Sequence, residues 1–127
     1  MKKMIVVLLV VLAIAAPAAA SDKPFRFSLS VAVAGLGVAD TALTVYGTKR
    51  GLIETNGLMA GFVERRQYWA LWAFQGIGTA AIILAGNILA SSRARIPKIA
   101  GYAVLISAVV FRSFVVAHNA KLNRGLK

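Results

Sequence analysis

The sequence predicts an all-α membrane protein: a small transmembrane helical bundle of three spanning helices, with an N-terminal signal helix and a short interfacial helix. Of its 127 residues, 59% are hydrophobic and only 15% are charged, and the mean hydropathy is +0.75. Soluble domains carry about 25% charged residues. Three long apolar runs follow the N-terminal one, and in hydrocarbon such runs satisfy their backbone hydrogen bonds as helices.

The N-terminal segment MKKMIVVLLVVLAIAAPAAA, residues 1–20, has the order of a secretory signal. Two lysines precede an apolar core, and Pro17 breaks the helix before three alanines that form a cleavage site after Ala20. The core of about 13 residues is shorter than the roughly 20 that a spanning helix needs. We therefore expect cleavage, with the mature chain beginning at Ser21. An uncleaved anchor helix is the alternative, and it leaves the later topology unchanged.

The three spans are expected at about residues 28–46, 69–90 and 99–118, within a single membrane domain that covers residues 21–127. Pro97 stands just before the third span, where its missing N–H costs little. Aromatic side chains cluster near the predicted ends, which is typical of residues at the membrane interface. They are Phe25, Phe27, Tyr46, Tyr68, Trp69, Trp72 and Tyr102.

The connection between the first two spans is too long for a simple turn and predicts a short helix at the inner membrane surface. Its apolar residues recur at helical spacing, and charged residues follow them. Asn56 is a good N-cap, so the helix is expected to begin at about Gly57. The apolar residues of this helix are Leu58, Met59, Phe62 and Val63.

The net charge of +11 comes from small groups of Lys and Arg between the apolar runs. A nucleic-acid-binding domain concentrates such residues on one polar face, so no nucleic acid partner is expected. Basic groups beside membrane spans instead favour anionic lipids of the bilayer. Their distribution modestly favours a multi-pass protein of the bacterial inner membrane, with the mature N-terminus outside and the C-terminus cytoplasmic.

An aspartate interrupts the first span. The apolar side chains of this span favour insertion by about 3 kcal/mol in total, and one central aspartate costs about as much. Asp40 is therefore expected to face the bundle interior together with Thr44, one turn further along. Arg112 of the third span is expected at similar depth and completes an intramembrane polar cluster. The two charges are interpreted as a pair, and both a structural and a functional role remain open.

Other polar residues of the spans have simpler interpretations. Gln75, Thr79 and Asn87 of the second span are expected to form hydrogen bonds between helices. A metal site formed by Asp40 with Glu54 and His118 is a minor alternative, because no short ligand spacing supports it. The sequence contains no cysteine, no Ser-His-Asp set and no phosphate-binding glycine loop, so we expect no enzyme activity, no metal and no cofactor.

The segment ADTALTVYGTKRGLIETNGL resembles a family of small bacterial multi-helix membrane proteins of unassigned function. Its signature is an Asp followed by Thr in the first helix, then a Gly and a Glu-x-Asn-Pro motif. The resemblance covers about residues 33–119, and Gly57 replaces the proline. It implies a compact helical membrane bundle and brings no activity, substrate or cofactor. The matching residues are Asp40, Thr41, Thr44, Gly51, Glu54 and Asn56.

Glu54 and Asn56 of this motif also have a physical interpretation. Asn56 caps the interfacial helix, and the carboxylate of Glu54 is expected to stabilise the positive end of that helix or to reach a basic residue such as Arg50 or Arg112. A functional carboxylate is the alternative.

Two hypotheses for the function follow. The first is an interaction, assembly or accessory partner in the membrane, which includes self-association or association with another membrane protein. The alternative is an oligomeric permease component for a proton or small solute, in which Asp40 lines a path together with Thr44 and Gln75.

Overall fold

The computed structural model describes residues 23–54 and 56–126. These residues form four helices: α1 (Lys23–Lys49), α2 (Gly57–Glu64), α3 (Tyr68–Ala90) and α4 (Arg95–Arg124). The helices α1, α3 and α4 are long and apolar enough to cross a membrane. The predicted all-α architecture with three membrane-capable helices is thus confirmed. The predicted signal helix, residues 1–20, lies outside the described residues.

Each long helix includes the corresponding predicted span, and α1 and α4 extend beyond it into polar sequence. At about 1.5 Å per residue the 30 residues of α4 measure about 45 Å, more than the roughly 30 Å of a hydrocarbon core. Its projecting ends carry basic residues, Arg95 and Lys98 at one end and Lys121 and Arg124 at the other. Pro97 lies in the first turn, where a missing N–H breaks no helical hydrogen bond.

The central helix of the bundle is α4, which packs against both α1 and α3. Tyr102 and Leu105 of α4 are fully buried, and the Tyr102 ring stacks on Phe25 of α1 with 5.8 Å between ring centroids. Tyr102 is thus a core residue of the bundle, and its predicted position at the membrane interface stays a prediction. Tyr102 lies on the face of α4 that turns toward α1, whereas the side chains of Phe27 and Trp69 are largely exposed.

The helices α3 and α4 approach closely through small residues. A Cβ atom on Gly101 of α4 would overlap the backbone of α3 at the Ala90 nitrogen and the Gly86 carbonyl oxygen. A Cβ atom on Gly86 would in turn overlap the side chain of Leu105. Association of helices within a membrane depends largely on such close contacts, since lipid tails are as apolar as the helices themselves.

A tight turn ends α1. The carbonyl oxygen of Gly47 accepts hydrogen bonds from the backbone N–H groups of Arg50 and Leu52, both at 3.0 Å. Gly51, between these two donors, has a φ of 100°, a conformation that glycine adopts without strain. The turn reverses the chain direction at this end of the bundle.

The short helix α2 begins at Gly57, as the capping pattern predicts. It packs on α3, where the rings of Phe62 and Phe74 lie 5.7 Å apart between centroids, and its Met59 side chain is buried. The α2 segment therefore covers part of the bundle at the end where α1 terminates.

Hydrogen bonds between helices form near the start of α1, at mid-height and near the end of α1, where Asn119 and Asn123 of α4 donate to α1. Near the start of α1, the Asn87 side chain donates to Ser30 Oγ at 2.8 Å, and Arg26 donates to the Asn87 carbonyl oxygen at 3.4 Å. At mid-height, Arg112 of α4 donates to Thr79 Oγ1 of α3 at 2.7 Å. The predicted interhelical role of Asn87 and Thr79 is confirmed.

We expect Gly101→Ala to lower the free energy of unfolding by about 1–3 kcal/mol, the usual cost of overpacking, because the added methyl group overlaps the α3 backbone. Gly78→Ala is the matched control, since open space surrounds that glycine and alanine favours the helix. Unfolding of both variants in detergent, followed by circular dichroism, measures the difference. Equal stability of the two variants would contradict the close α3–α4 contact.

Candidate functional site

A polar cavity of about 390 Å³ lies between the C-terminal halves of α1 and α4 and the N-terminal half of α3. The connection before α2 and α2 itself complete its wall. The structure thus brings together Asp40 and Thr44 with Glu54 and Asn56, which are all the residues of the predicted polar cluster and the Glu-x-Asn motif except Arg112. The lining residues are Asp40, Thr44, Glu54, Asn56, Met59, Gln75, Phe114, Val115, His118 and Asn119.

Asp40 is held at the edge of this cavity by α4. Its Oδ1 atom accepts a hydrogen bond of 2.8 Å from Asn119 Nδ2, so an amide is the direct partner of this carboxylate. Two charges act on Asp40 from a greater distance, the attraction of Arg112 and the repulsion of Glu54. The aspartate therefore lies between a cation at mid-bundle and a second carboxylate at the cavity.

Arg112 points away from the cavity. This residue is buried, its Nη2 atom donates to Thr79 Oγ1, and a Cβ atom on Gly37 would overlap its Nη1 atom. No hydrogen bond or ion pair joins Arg112 to Asp40 in the structure. The direct pair that the sequence favours is not formed, because helical side chains lean toward the helix N-terminus and Arg112 thereby reaches Gly37, one turn before Asp40.

The Glu-x-Asn motif forms a local cap. Asn56 Oδ1 accepts a hydrogen bond of 3.1 Å from the Leu58 N–H and thereby caps α2, which confirms the predicted N-cap. Glu54 Oε1 accepts a hydrogen bond of 2.8 Å from the backbone N–H of Asn56. Arg50 binds the Tyr46 hydroxyl and the Leu126 carbonyl oxygen instead of Glu54. The motif positions the two polar side chains that the α2 connection contributes to the cavity.

A second cavity of about 350 Å³ adjoins the first and shares four of its residues: Thr44, Glu54, His118 and Asn119. Asn123 lies on its wall, where its side chain donates to the Leu43 carbonyl oxygen at 3.2 Å and its Oδ1 atom is buried without a hydrogen-bond partner. The sequence reasoning missed Asn123 because the predicted span ended at residue 118. The recurrence of asparagine at positions 119 and 123, on one face of a helix, is the signal that could have revealed it.

The two cavities offer carboxylates, amides and one imidazole to a ligand. Asp40, Glu54 and His118 all line the first cavity, yet within residues 23–54 and 56–126 no group of three or more His, Asp and Glu side chains could hold a metal ion. The arrangement can accept hydrogen bonds from a polar or cationic group and donate them through the amides of Gln75 and Asn119.

Comparison with known proteins identifies the family of the chain but assigns it no activity. Neither the curated proteins nor the solved structures include a match to this chain. One family, described as a domain of unknown function, DUF5658, matches residues 31–123. The matched segment contains every residue that lines the two cavities, together with Arg112. Because the match covers well over half of the chain, the protein belongs to the DUF5658 family.

Proposed function

We propose that the protein is a non-enzymatic integral membrane protein that acts by interaction, as an accessory or assembly partner, and that the polar cavity is its binding site. One observation carries the proposal: side chains from α1, α3 and α4 and from the α2 segment converge on a single cavity. Polar groups are costly within a membrane, and their convergence is typical of a functional site.

The polar groups of the cavity are suited to recognition. Asn119 fixes the Asp40 carboxylate, and the Asn56 N–H fixes the Glu54 carboxylate, so both are oriented before a ligand arrives. Ordering them in advance lowers the entropic cost of binding. Phe114 is largely exposed at the same cavity and offers an apolar contact beside the polar groups.

Photo-crosslinking in native membranes tests the binding site. A benzoylphenylalanine in place of Phe114 is expected to form an adduct of discrete mass, because this side chain lines the cavity. Phe111 is the matched control, since it is similarly exposed, at 69% against 71%, and lies one turn earlier, outside the cavity. The adduct at position 114 is expected to disappear in Asp40→Asn. Identical adducts at both positions would contradict a specific partner at the cavity.

The proposed localisation is a bacterial inner membrane, with the mature N-terminus outside and the cavity at the cytoplasmic end. Two contacts tie basic residues to the cavity end of the bundle: Lys49 lies over the Tyr68 ring at 4.9 Å, and Arg50 binds the Leu126 carbonyl oxygen. Six basic residues of the described chain occur at this end and five at the other, which favours this orientation. The six are Lys49, Arg50, Arg65, Arg66, Lys121 and Arg124, and the five are Lys23, Arg26, Arg93, Arg95 and Lys98.

The charge of these basic residues is also expected to favour anionic lipids. Equal binding of the protein to neutral and anionic vesicles would contradict that expectation.

Cysteine labelling checks this orientation, because the natural chain contains no cysteine. We expect Ser91→Cys, at the end of α3, to react with a membrane-impermeant maleimide in intact spheroplasts. Gln67→Cys, at the start of α3, is expected to react only after permeabilisation; both positions are exposed. The opposite labelling pattern would reverse the proposed topology.

A second candidate function is an oligomeric permease component for a proton or small solute. The observation that favours it is that Asp40, Thr44 and Gln75, the three residues expected to line a path, all line one cavity. Three helices enclose little space between them, so this function requires self-association.

Flux measurements separate this candidate from the first. In liposomes with an imposed pH gradient or ion gradient, a permease is expected to dissipate the gradient, and Asp40→Asn is expected to reduce the rate because it removes the charge at the path. Val31→Ala, at an exposed position of α1 outside the cavity, is the control. Flux no greater than that of empty liposomes would rule out the permease function and leave the interaction role intact.

A further inference from the structure

Arg112 carries a positive charge in the middle of the bundle, and no anion among residues 23–54 and 56–126 contacts it. The residue is 8% exposed, its Nη2 atom donates to Thr79 Oγ1, and its Nη1 atom is buried without a hydrogen-bond partner. Thr79 is close to the midpoint of α3, which runs over Tyr68–Ala90. The Thr79 hydroxyl donates its own proton to the Gln75 carbonyl oxygen at 2.7 Å. A guanidinium at this depth is costly unless an acceptor or an anion satisfies it.

The guanidinium lies directly behind a groove between α1 and α3. Gly37 and Thr79, the two residues that contact it, both line this groove, whose volume is about 260 Å³. The absence of a side chain at Gly37 leaves the space that the Nη1 atom occupies. Most of the remaining wall is apolar and extends from Trp72 at one end to Ile83 at the other. Arg112 itself does not line the groove, and Gly37 and Thr79 separate its buried, unsatisfied Nη1 atom from the apolar wall.

We propose that this groove binds an alkyl carboxylate, with the apolar chain along the groove and the carboxylate on Arg112. Charge complementarity selects the ligand: guanidinium and carboxylate form strong charge-assisted hydrogen bonds. The apolar wall favours a ligand with a chain over a bare inorganic anion. The groove volume of about 260 Å³ is slightly below the roughly 300–1,000 Å³ of most small-molecule pockets, which suits a small ligand. The site is separate from the polar cavity, although Gln75 lines both.

Asp40 influences this site, because its carboxylate and Arg112 attract each other from beyond contact distance. A bound carboxylate competes with Asp40 for the guanidinium, and the Asp40 carboxylate repels it. Asp40→Asn therefore strengthens binding in the groove, whereas Arg112→Gln removes the anion preference. A purely structural role of the two residues predicts no effect of either change on the choice of ligand.

The experiment uses the fluorescence of Trp72, which lines the groove. The chain has two tryptophans, and Trp69→Phe leaves Trp72 as the only reporter. In nanodiscs of neutral lipid, ω-bromodecanoate and ω-bromodecanol are compared as quenchers of equal chain length. The neutral alcohol partitions better into such a bilayer, so without a site it quenches at least as well as the acid.

We expect the acid to quench at a concentration roughly tenfold lower than the alcohol, the ratio that one charge-assisted hydrogen bond provides. The preference disappears in Arg112→Gln and grows in Asp40→Asn. Equal quenching by the two probes in the protein with natural Asp40 and Arg112 overturns the proposal, and that comparison does not depend on the folding of any charge variant. Complete displacement of the acid by chloride or acetate at the same concentration also overturns it, because it assigns the site to a small anion.

Discussion

The structure depends on the placement of two opposite charges inside an apolar bundle. Asp40 and Arg112 both lie in helices that are long and apolar enough to cross a membrane, where charged side chains are costly. Each charge takes a neutral partner on a neighbouring helix: Asp40 accepts from Asn119 on α4, and Arg112 donates to Thr79 on α3. These two hydrogen bonds join α4 to both other long helices.

Glycines make this arrangement possible, because a long side chain needs room between closely packed helices. Gly37 leaves space for the guanidinium of Arg112, and Gly101 lets α4 approach the backbone of α3. Both are buried, whereas Gly35 and Gly78 meet open space and have no comparable role within the bundle. A glycine in a membrane helix thus has a role here only where another helix or a charged side chain fills the space that it leaves.

The two faces of α1 acquire different chemistry from this packing. On the side of α2, Asp40 and Thr44 face a cavity that contains carboxylates, amides and an imidazole. On the side of α3, Gly37 and Thr41 line a groove with mostly apolar walls and a cation behind it. One turn of helix separates a site suited to a polar or cationic group from one suited to an anion with an apolar chain. One small bundle therefore contains two cavities of different chemistry.

The sequence by itself determined the fold class, the number of membrane-capable helices and the cap at Asn56, because these depend on hydrophobic length and on local backbone hydrogen bonds. It also identified Asp40 and Glu54, since charges within or beside apolar runs are conspicuous. Only the tertiary structure decided which groups meet. Arg112 turned to Thr79 instead of Asp40, Tyr102 entered the core, and Asn119 became the partner of Asp40, because side-chain direction and helix rotation depend on packing between segments that are distant in the chain.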